Sequence, residues 1–416
     1  MIRAAFVNFI NWLGRKLGTD MPYLLRNGIW INTGYASASV AGLILSVAYA
    51  NFLSPETYGA YSTVISVTAI LAILSLDKMS TPVTRAVAAG YSKTFLESYL
   101  CKLRWSFASA GVAFLLAVYY FLVGNVSLGM AFVMVGIFTP VMQPHALYNA
   151  YLNGKQNFRL TALLQIITQI IHVIVAASVS YLTDSFLVIL FSYFVSHSIL
   201  RVSSFLYVKT RFKKEIQEAA IDREAITLGR ELSFLGSYSV IVSHLDKILL
   251  WHFLGPAQVA LYAFATAPTK ELSRLFNPIS TLALPKFSNR SKLVLKQRLL
   301  GKIFKIGLFS LPIVVGYILL APHLFSYLFP QYSAAILLSQ IYSLKLLMQG
   351  DRLLSPFFHS QMLKKQLYII NIVSPTIKLV SMLCLLPFFG VMGIVISVLV
   401  TELIDLIYRL ILVKRS

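Results

Sequence analysis

Twelve stretches of this 416-residue chain are apolar over the about 20 residues that a helix needs to cross a bilayer. They lie near 28–51, 58–77, 105–124, 127–152, 158–182, 185–208, 231–254, 257–284, 302–322, 332–358, 366–387 and 390–412. Short connectors take up the rest, which leaves no room for a separate soluble domain. Turn residues mark breaks at Ser54-Pro55, Gly124-Asn125, Thr183-Asp184, Gly255-Pro256, Phe329-Pro330 and Phe389-Gly390. Composition agrees: 57% of residues are hydrophobic and 12% charged, where soluble domains carry about 25% charged residues. A disordered chain, a collagen-like fibre and an ordinary soluble enzyme are excluded.

The basic residues orient these spans. Of 36 Lys and Arg, 29 fall at the two ends or in alternate connectors, at 78–104, 155–159, 209–230, 286–305 and 364–365. The intervening connectors 51–57, 124–127, 182–186, 254–258, 322–333 and 387–391 contain none. The positive-inside rule places the loaded side in the cytoplasm, with both termini there. The formal charge of +21 therefore reflects orientation and contact with anionic lipid and is no sign of nucleic-acid binding.

Residues 1–27 read as a cytoplasmic interfacial segment. Within it Ile2, Phe6, Phe9, Leu13 and Leu17 share one helix face, with Arg3, Arg15 and Lys16 toward the head groups. The two cysteines, Cys101 and Cys384, form no disulfide framework and no metal-binding spacing. No metal or other cofactor is expected.

An internal repeat divides the spans. NFLSPETYGAYS at 51–62 and HFLGPAQVALYA at 252–263 align at an offset of 201, pairing Phe52 with Phe253, Leu53 with Leu254, Pro55 with Pro256 and Tyr61 with Tyr262. Each half holds an even number of spans, so the halves are parallel repeats that enclose a cavity and rock against each other. The expected fold is all-α and integral to the membrane: twelve transmembrane helices in two parallel six-helix bundles, 28–208 and 231–416, joined by a cytoplasmic linker at 209–230.

The strings FLSPETYGAYSTVIS (52–66), DKMSTPVTRAVAAG (77–90) and HLDKILLWHFLGPAQVALYAFA (244–265) resemble the opening spans of the Wzx-type polysaccharide/O-antigen flippases. These belong to the polysaccharide biosynthesis transport family of the multidrug/oligosaccharidyl-lipid/polysaccharide exporter superfamily. The resemblance implies a multi-pass protein of the cell (inner) membrane that serves polysaccharide or lipopolysaccharide assembly. It would move an undecaprenyl-pyrophosphate-linked glycan from the inner to the outer leaflet by alternating access. It further implies membrane lipids and the polysaccharide polymerase machinery as partners, and a monomer. Asp246, Lys247 and Arg85 stand in the strings that carry it.

Seven basic residues remain inside spans: Arg201, Lys247, Lys270, Arg274, Lys345, Arg352 and Lys378. Such charges face a cavity or a partner. Lys270, Arg274 and Asn277 share one helix face, and Lys345, Gln349 and Arg352 share another. Two readings stand. In one, Lys247, Lys270, Arg274, Lys345, Arg352 and Lys378, with Arg85, form a cationic cavity for pyrophosphate. In the other, Asp246, Glu271, Asp351, Glu402 and Asp405 pair with them or couple transport to an ion. Glu402, Asp405 and Arg409 share a face of the last span and read as partners for Lys378. His145, His172 and His197 read as hydrogen-bonded packing residues. Tyr119-Tyr120-Phe121 and Phe357-Phe358 read as interfacial belts. Prolines inside spans, among them Pro140, Pro144, Pro268, Pro278, Pro312, Pro356 and Pro375, mark helices able to bend.

A cation-coupled multidrug exporter of the same superfamily is the alternative, but it calls for an acidic cavity. A membrane glycosyltransferase or polymerase would need a sizeable external loop with catalytic groups, and apart from tyrosines His323 is the only ionisable residue in the longest external connector, 322–333. The chain is not expected to be an enzyme. The charge pattern makes a direct prediction in a Cys101→Ser/Cys384→Ser background. Val126→Cys and Ala257→Cys should react with a membrane-impermeant maleimide on intact cells. Gln156→Cys and Lys213→Cys should react only after permeabilisation, and the opposite labelling pattern would refute the orientation.

Overall fold

The helix breaks lie where side chains replace the missing backbone partners. In the computed structural model, which describes residues 21–277, 279–280, 287, 292–361 and 363–415, Ser54 accepts from the Thr57 amide at 3.3 Å. Asn125 accepts from Leu128 N at 3.0 Å and Asn157 from Leu160 N at 3.3 Å. Pro55 and Pro256 occupy first-turn positions, where the lost N–H would have no partner inside the helix anyway.

The first half runs α1 (Met21–Phe52), α2 (Pro55–Leu71), α3 (Ser80–Ala88), α4 (Thr94–Leu122), α5 (Val126–His145), α6 (Tyr148–Gly154), α7 (Phe158–Leu182) and α8 (Phe186–Arg211). Short helices α9 (Lys213–Glu218) and α10 (Arg223–Leu235) follow. The second half has α11 (Ser237–Leu254), α12 (Pro256–Arg274), α13 (Lys292–Leu328), α14 (Ala335–Ser343), α15 (Leu354–Ser360) and α16 (Lys364–Arg415). Among the described residues there is no strand. The amphipathic segment expected at 2–18 lies outside the described residues, as do Pro278 and part of the 286–305 connector.

Among the described residues, seven stretches are long and apolar enough to cross a membrane: Asn32–Phe52, Thr94–Leu122, Val126–Gly154, Phe158–Leu182, Phe186–Arg211, Leu299–Leu328 and Ile369–Lys414. This is a multi-pass membrane protein. The last stretch is two helices joined end to end, broken at Gly390 with φ 54° and ψ −131°. A left-handed φ of this kind suits glycine, because a side chain there would crowd the backbone.

Helices α2, α11 and α12 are shorter or more polar because they pack on one another and so need not match lipid. Buried hydroxyls on α2 bond back along their own helix: Thr63 to Gly59 O at 2.9 Å, Ser66 to Ser62 O at 2.9 Å and Thr68 to Val64 O at 2.8 Å. Contact between the sequence halves runs through α2 against α11 and α12, and α1 against α12. The packing is tight at Gly59, where a Cβ would stand 2.0 Å from the Pro256 carbonyl oxygen. The repeat thus places the start of α12 against the matching part of α2.

Around this contact sits an aromatic plug. Tyr58 stacks on Phe264 at 4.2 Å, Tyr49 meets Tyr61 at 5.4 Å, and Phe264 meets Tyr332 at 4.5 Å. Tyr49, Tyr61, Phe264, Phe329 and Tyr332 are buried.

Two local features depart from the sequence reading. The stretch expected as one helix over 332–358 is α14, a 3-10 segment Leu344–Leu353, then α15. The 3-10 segment lies against α13, and at Gly350 a Cβ would come within 2.8 Å of the Ile303 carbonyl oxygen. Phe357 and Phe358, expected at the membrane interface, are both 0% exposed and pack in a core with Leu353, Leu354 and Ile370. By contrast Tyr119 and Phe121 are exposed on the outer surface.

Gly59→Leu should therefore lower the thermal stability of the purified protein by about 1–3 kcal/mol, the usual cost of overpacking. Gly111→Leu, at a site with nothing within 4 Å, should leave melting unchanged. Equal melting of the two variants would contradict the close α2–α12 contact.

Candidate functional site

Two groups of polar side chains occupy the helix interior, one in each half. The first surrounds Asp246 on α11, which is 7% exposed. The Tyr262 hydroxyl donates to Asp246 Oδ2 at 2.8 Å. Lys247 Nζ reaches across the halves to Ser62 Oγ at 2.7 Å. Lys270 Nζ lies 5.3 Å from the centroid of the Tyr262 ring, within cation–π range. Lys378 Nζ approaches the Ser243 carbonyl oxygen at 3.4 Å. Among the described residues, Lys247, Lys270 and Lys378 form no ion pair within 4.0 Å.

The remaining predicted residues are engaged elsewhere. Lys345 pairs with Glu402 at 2.5 Å, joining the 3-10 segment to α16. Glu402 is thus the partner of Lys345 rather than of Lys378. Asp405 takes Arg409 at 2.6 Å and a hydrogen bond from Ser374. The local cause is spacing: Arg409 lies one turn from Asp405 on the same helix. Arg274 pairs with Glu271 at 2.6 Å, also within one helix. The Glu271 carboxylate packs against α1, where a Cβ on Gly42 would stand 2.6 Å from its oxygen.

Arg352 donates to Gln349 Oε1 at 2.5 Å, to Ser273 Oγ at 2.9 Å and to Asn277 Oδ1. The two stripes seen in the sequence meet at one point, where Arg352 reaches Asn277. Asp351 is half-buried and forms no ion pair within 4.0 Å among the described residues. Arg85 is exposed on α3, which packs on α6 and α10.

Apart from Arg201 and His197, the second group was not singled out from sequence. A cavity of about 650 Å³ opens between α1, α6, α7 and α8. Four side-chain amides line it, Asn149, Asn153, Gln165 and Gln169, with the rings of Trp30, Tyr35 and Tyr148. Arg201 and His197 border it from α8. None of the predicted binding residues lines this cavity. Its signal was readable: Gln165, Gln169 and His172 follow at spacings of four and three, one polar face on an otherwise apolar span. Charge-based reasoning passes over neutral amides. The histidines themselves are hydrogen-bonded: His172 Nδ1 is 3.0 Å from Ser196 Oγ, His197 Nδ1 is 3.1 Å from Tyr193 O, and His145 Nε2 is 3.2 Å from Tyr99 OH.

The model of the polysaccharide biosynthesis protein family matches residues 24–291, which is more than half of the chain. The chain belongs to that family. No curated protein matches it by sequence. Among solved structures it is similar to the lipid II flippase MurJ in an inward closed conformation. That match has TM-score 0.71 and 15% identity over 93% of this chain and 87% of MurJ. It is also similar to an inward-facing multidrug resistance MATE family transporter of the MOP superfamily, with TM-score 0.65 and 13% identity over 92% and 94% of the two chains. A MOP superfamily transporter from Pyrococcus furiosus matches with TM-score 0.65 and 14% identity over 94% and 95%. At these identities the likeness is one of fold. The family member described here thus has the fold of these membrane transporters.

The ion pair between the 3-10 segment and α16 should show as coupling. Lys345→Met and Glu402→Leu should each lower the melting temperature of the purified protein, and the double variant should recover part of the loss. A double-mutant cycle should give about 0.5–3 kcal/mol. Strictly additive single effects would mean that the pair does not form.

Proposed function

We propose that this chain is a flippase for undecaprenyl-pyrophosphate-linked oligosaccharide, such as an O-antigen or another surface-polysaccharide repeat unit. On this reading twelve spans form two six-helix halves, 28–208 and 231–416, with both termini cytoplasmic. The halves alternate access to the two leaflets of the inner membrane. The protein works as a monomer, without covalent chemistry, and delivers its cargo to the polymerase machinery.

One observation carries the reading: among the described residues Lys247, Lys270 and Lys378 sit between helices in direct contact with neutral acceptors, a hydroxyl, a ring face and a carbonyl oxygen. Insertion scales put a lysine at the bilayer centre at a cost of about 2.5–3.5 kcal/mol, so three near one carboxylate, Asp246, call for a further anion. Pyrophosphate meets this need with oxygens that accept from several ammonium groups at once. An organic cation would meet repulsion there, which disfavours a drug exporter.

The plug supports the alternating-access part. It closes the end of the helices at Pro55, Pro256 and Pro330, while the amide-lined cavity lies further back along α1, at residues 30–38. Residues 35 and 52 of α1 are roughly 26 Å apart along the helix axis. This arrangement suits a state open to the cytoplasm.

Lys247→Gln and Lys270→Gln should each reduce complementation of a flippase-null strain at least tenfold, with protein level and melting temperature held. Wild-type complementation by both variants would remove the basis of the reading.

A further inference from the structure

The cavity in the first half has a lining suited to something other than phosphate. Arg201 is the one formally charged side chain among its lining residues, and it already donates to the Met142 carbonyl oxygen at 3.2 Å. The rest of its polar surface is mainly amide and hydroxyl. A primary amide offers two donors and an acceptor, so it matches a group that both donates and accepts at short range.

Much of this capacity is unspent. Gln169 Oε1 accepts from Ser37 at 3.3 Å, which leaves its NH₂ group for other acceptors. Gln165 and Asn149 approach only to 3.5 Å. No hydrogen bond is found for the Asn153 side chain among the described residues. The aromatic walls have the complementary property. Trp30, Tyr35 and Tyr148 present flat apolar surface with a polar tip, and Arg159 lies 5.6 Å from the Trp30 ring centroid and braces the indole. Hydroxyls around an apolar C–H face are the surface of a pyranose ring. No carboxylate lines the cavity, and the Arg201 charge on its border disfavours an organic cation. Its volume of about 650 Å³ falls within the range of about 300–1,000 Å³ usual for small-molecule pockets.

Position links the cavity to the lysines. Tyr35 and Ala38 of α1 line it, and the next residue, Ser39, donates to the Glu271 carbonyl oxygen beside Lys270 at 3.1 Å. One helix is therefore a wall of the cavity and a neighbour of the cationic group.

We propose that this cavity is a subsite for the uncharged sugar adjoining the pyrophosphate, read by the amides of Asn149, Asn153, Gln165 and Gln169 against the rings of Trp30 and Tyr35. The proposal rests on the flippase reading, and its test separates the two. The full-length protein in lipid nanodiscs is titrated with two probes, undecaprenyl pyrophosphate alone and undecaprenyl pyrophosphate bearing one N-acetylglucosamine.

Wild type should bind the sugar-bearing probe at least tenfold more tightly. Gln165→Leu and Gln169→Leu should each remove most of that ratio and leave affinity for the sugar-free probe within twofold. Lys270→Gln should weaken both probes alike. The fluorescence of Trp30, assigned with Trp30→Phe, should change with the sugar-bearing probe and not with the other. This readout uses the unaltered fold. Equal binding of the two probes by wild type, or a ratio kept by both glutamine variants, overturns the subsite while a shared dependence on Lys270 leaves the flippase reading standing. If Lys270→Gln weakens neither probe, the flippase reading falls and the subsite with it.

Discussion

A charged side chain inside a bilayer must be given a partner, and the packing of this protein follows from how seven basic side chains are partnered. Among the described residues, two of the seven meet a carboxylate: Arg274 with Glu271 and Lys345 with Glu402. Arg201 and Lys378 rest on carbonyl oxygens, Lys247 on a hydroxyl and Lys270 on a ring face. Arg352 spends its guanidinium on Gln349, Ser273 and Asn277. Arginine suits that task because its planar fork can hold several acceptors at fixed angles. The groups divide by this measure. The strongly partnered residues fix α12, the 3-10 segment and α16 to one another. The weakly partnered lysines are left able to exchange a neutral acceptor for an anion.

The architecture was legible because membrane folding uses coarse signals. Apolar length and Pro and Gly at breaks give helix positions without packing detail. The join at Phe389-Gly390 is an example, since only a residue tolerant of positive φ ends one helix and starts another there. What stayed illegible depends on contact between distant segments. Phe357 and Phe358 have the composition of an interfacial belt, yet α13 and α16 cover them. The 3-10 segment answers to Gly350, which lets its backbone touch α13. A residue four positions along, such as Arg409 for Asp405, can outcompete a partner on another helix because it needs no tertiary contact. The amide cavity escaped for a different reason: neutral side chains in an apolar helix do not register in an argument built on charge.

The sealed end of the molecule carries its own tension. Gly59 brings α2 against the start of α12, and five buried aromatic residues close the space around that contact. The hydroxyl of Tyr332 is buried there and has no hydrogen-bond partner among the described residues. Leaving such a group dry costs about 1–3 kcal/mol, which water would return if the plug opened. A long 3-10 segment is also less well bonded than an α-helix, and it lies in the half that carries most of the intramembrane charge. The closed arrangement is thus held by aromatic packing and weakened by local defects, a balance suited to a protein with two stable shapes.

The two halves descend from a common pattern at Pro55 and Pro256 but have diverged in chemistry. The second half holds six of the seven basic residues left inside spans, and the first holds the amides. This asymmetry argues against a cargo of uniform character, because a wholly charged ligand would leave the amide cavity unused and a neutral one would leave the lysines unanswered. A molecule with an anionic joint and a neutral sugar beside it gives each surface a complement. Such a cargo would span α1 and α12, which also meet away from the plug where Ser39 donates to the Glu271 carbonyl oxygen. On the proposed flippase reading, binding there would act across the contact between the halves, so recognition and motion would draw on the same contacts.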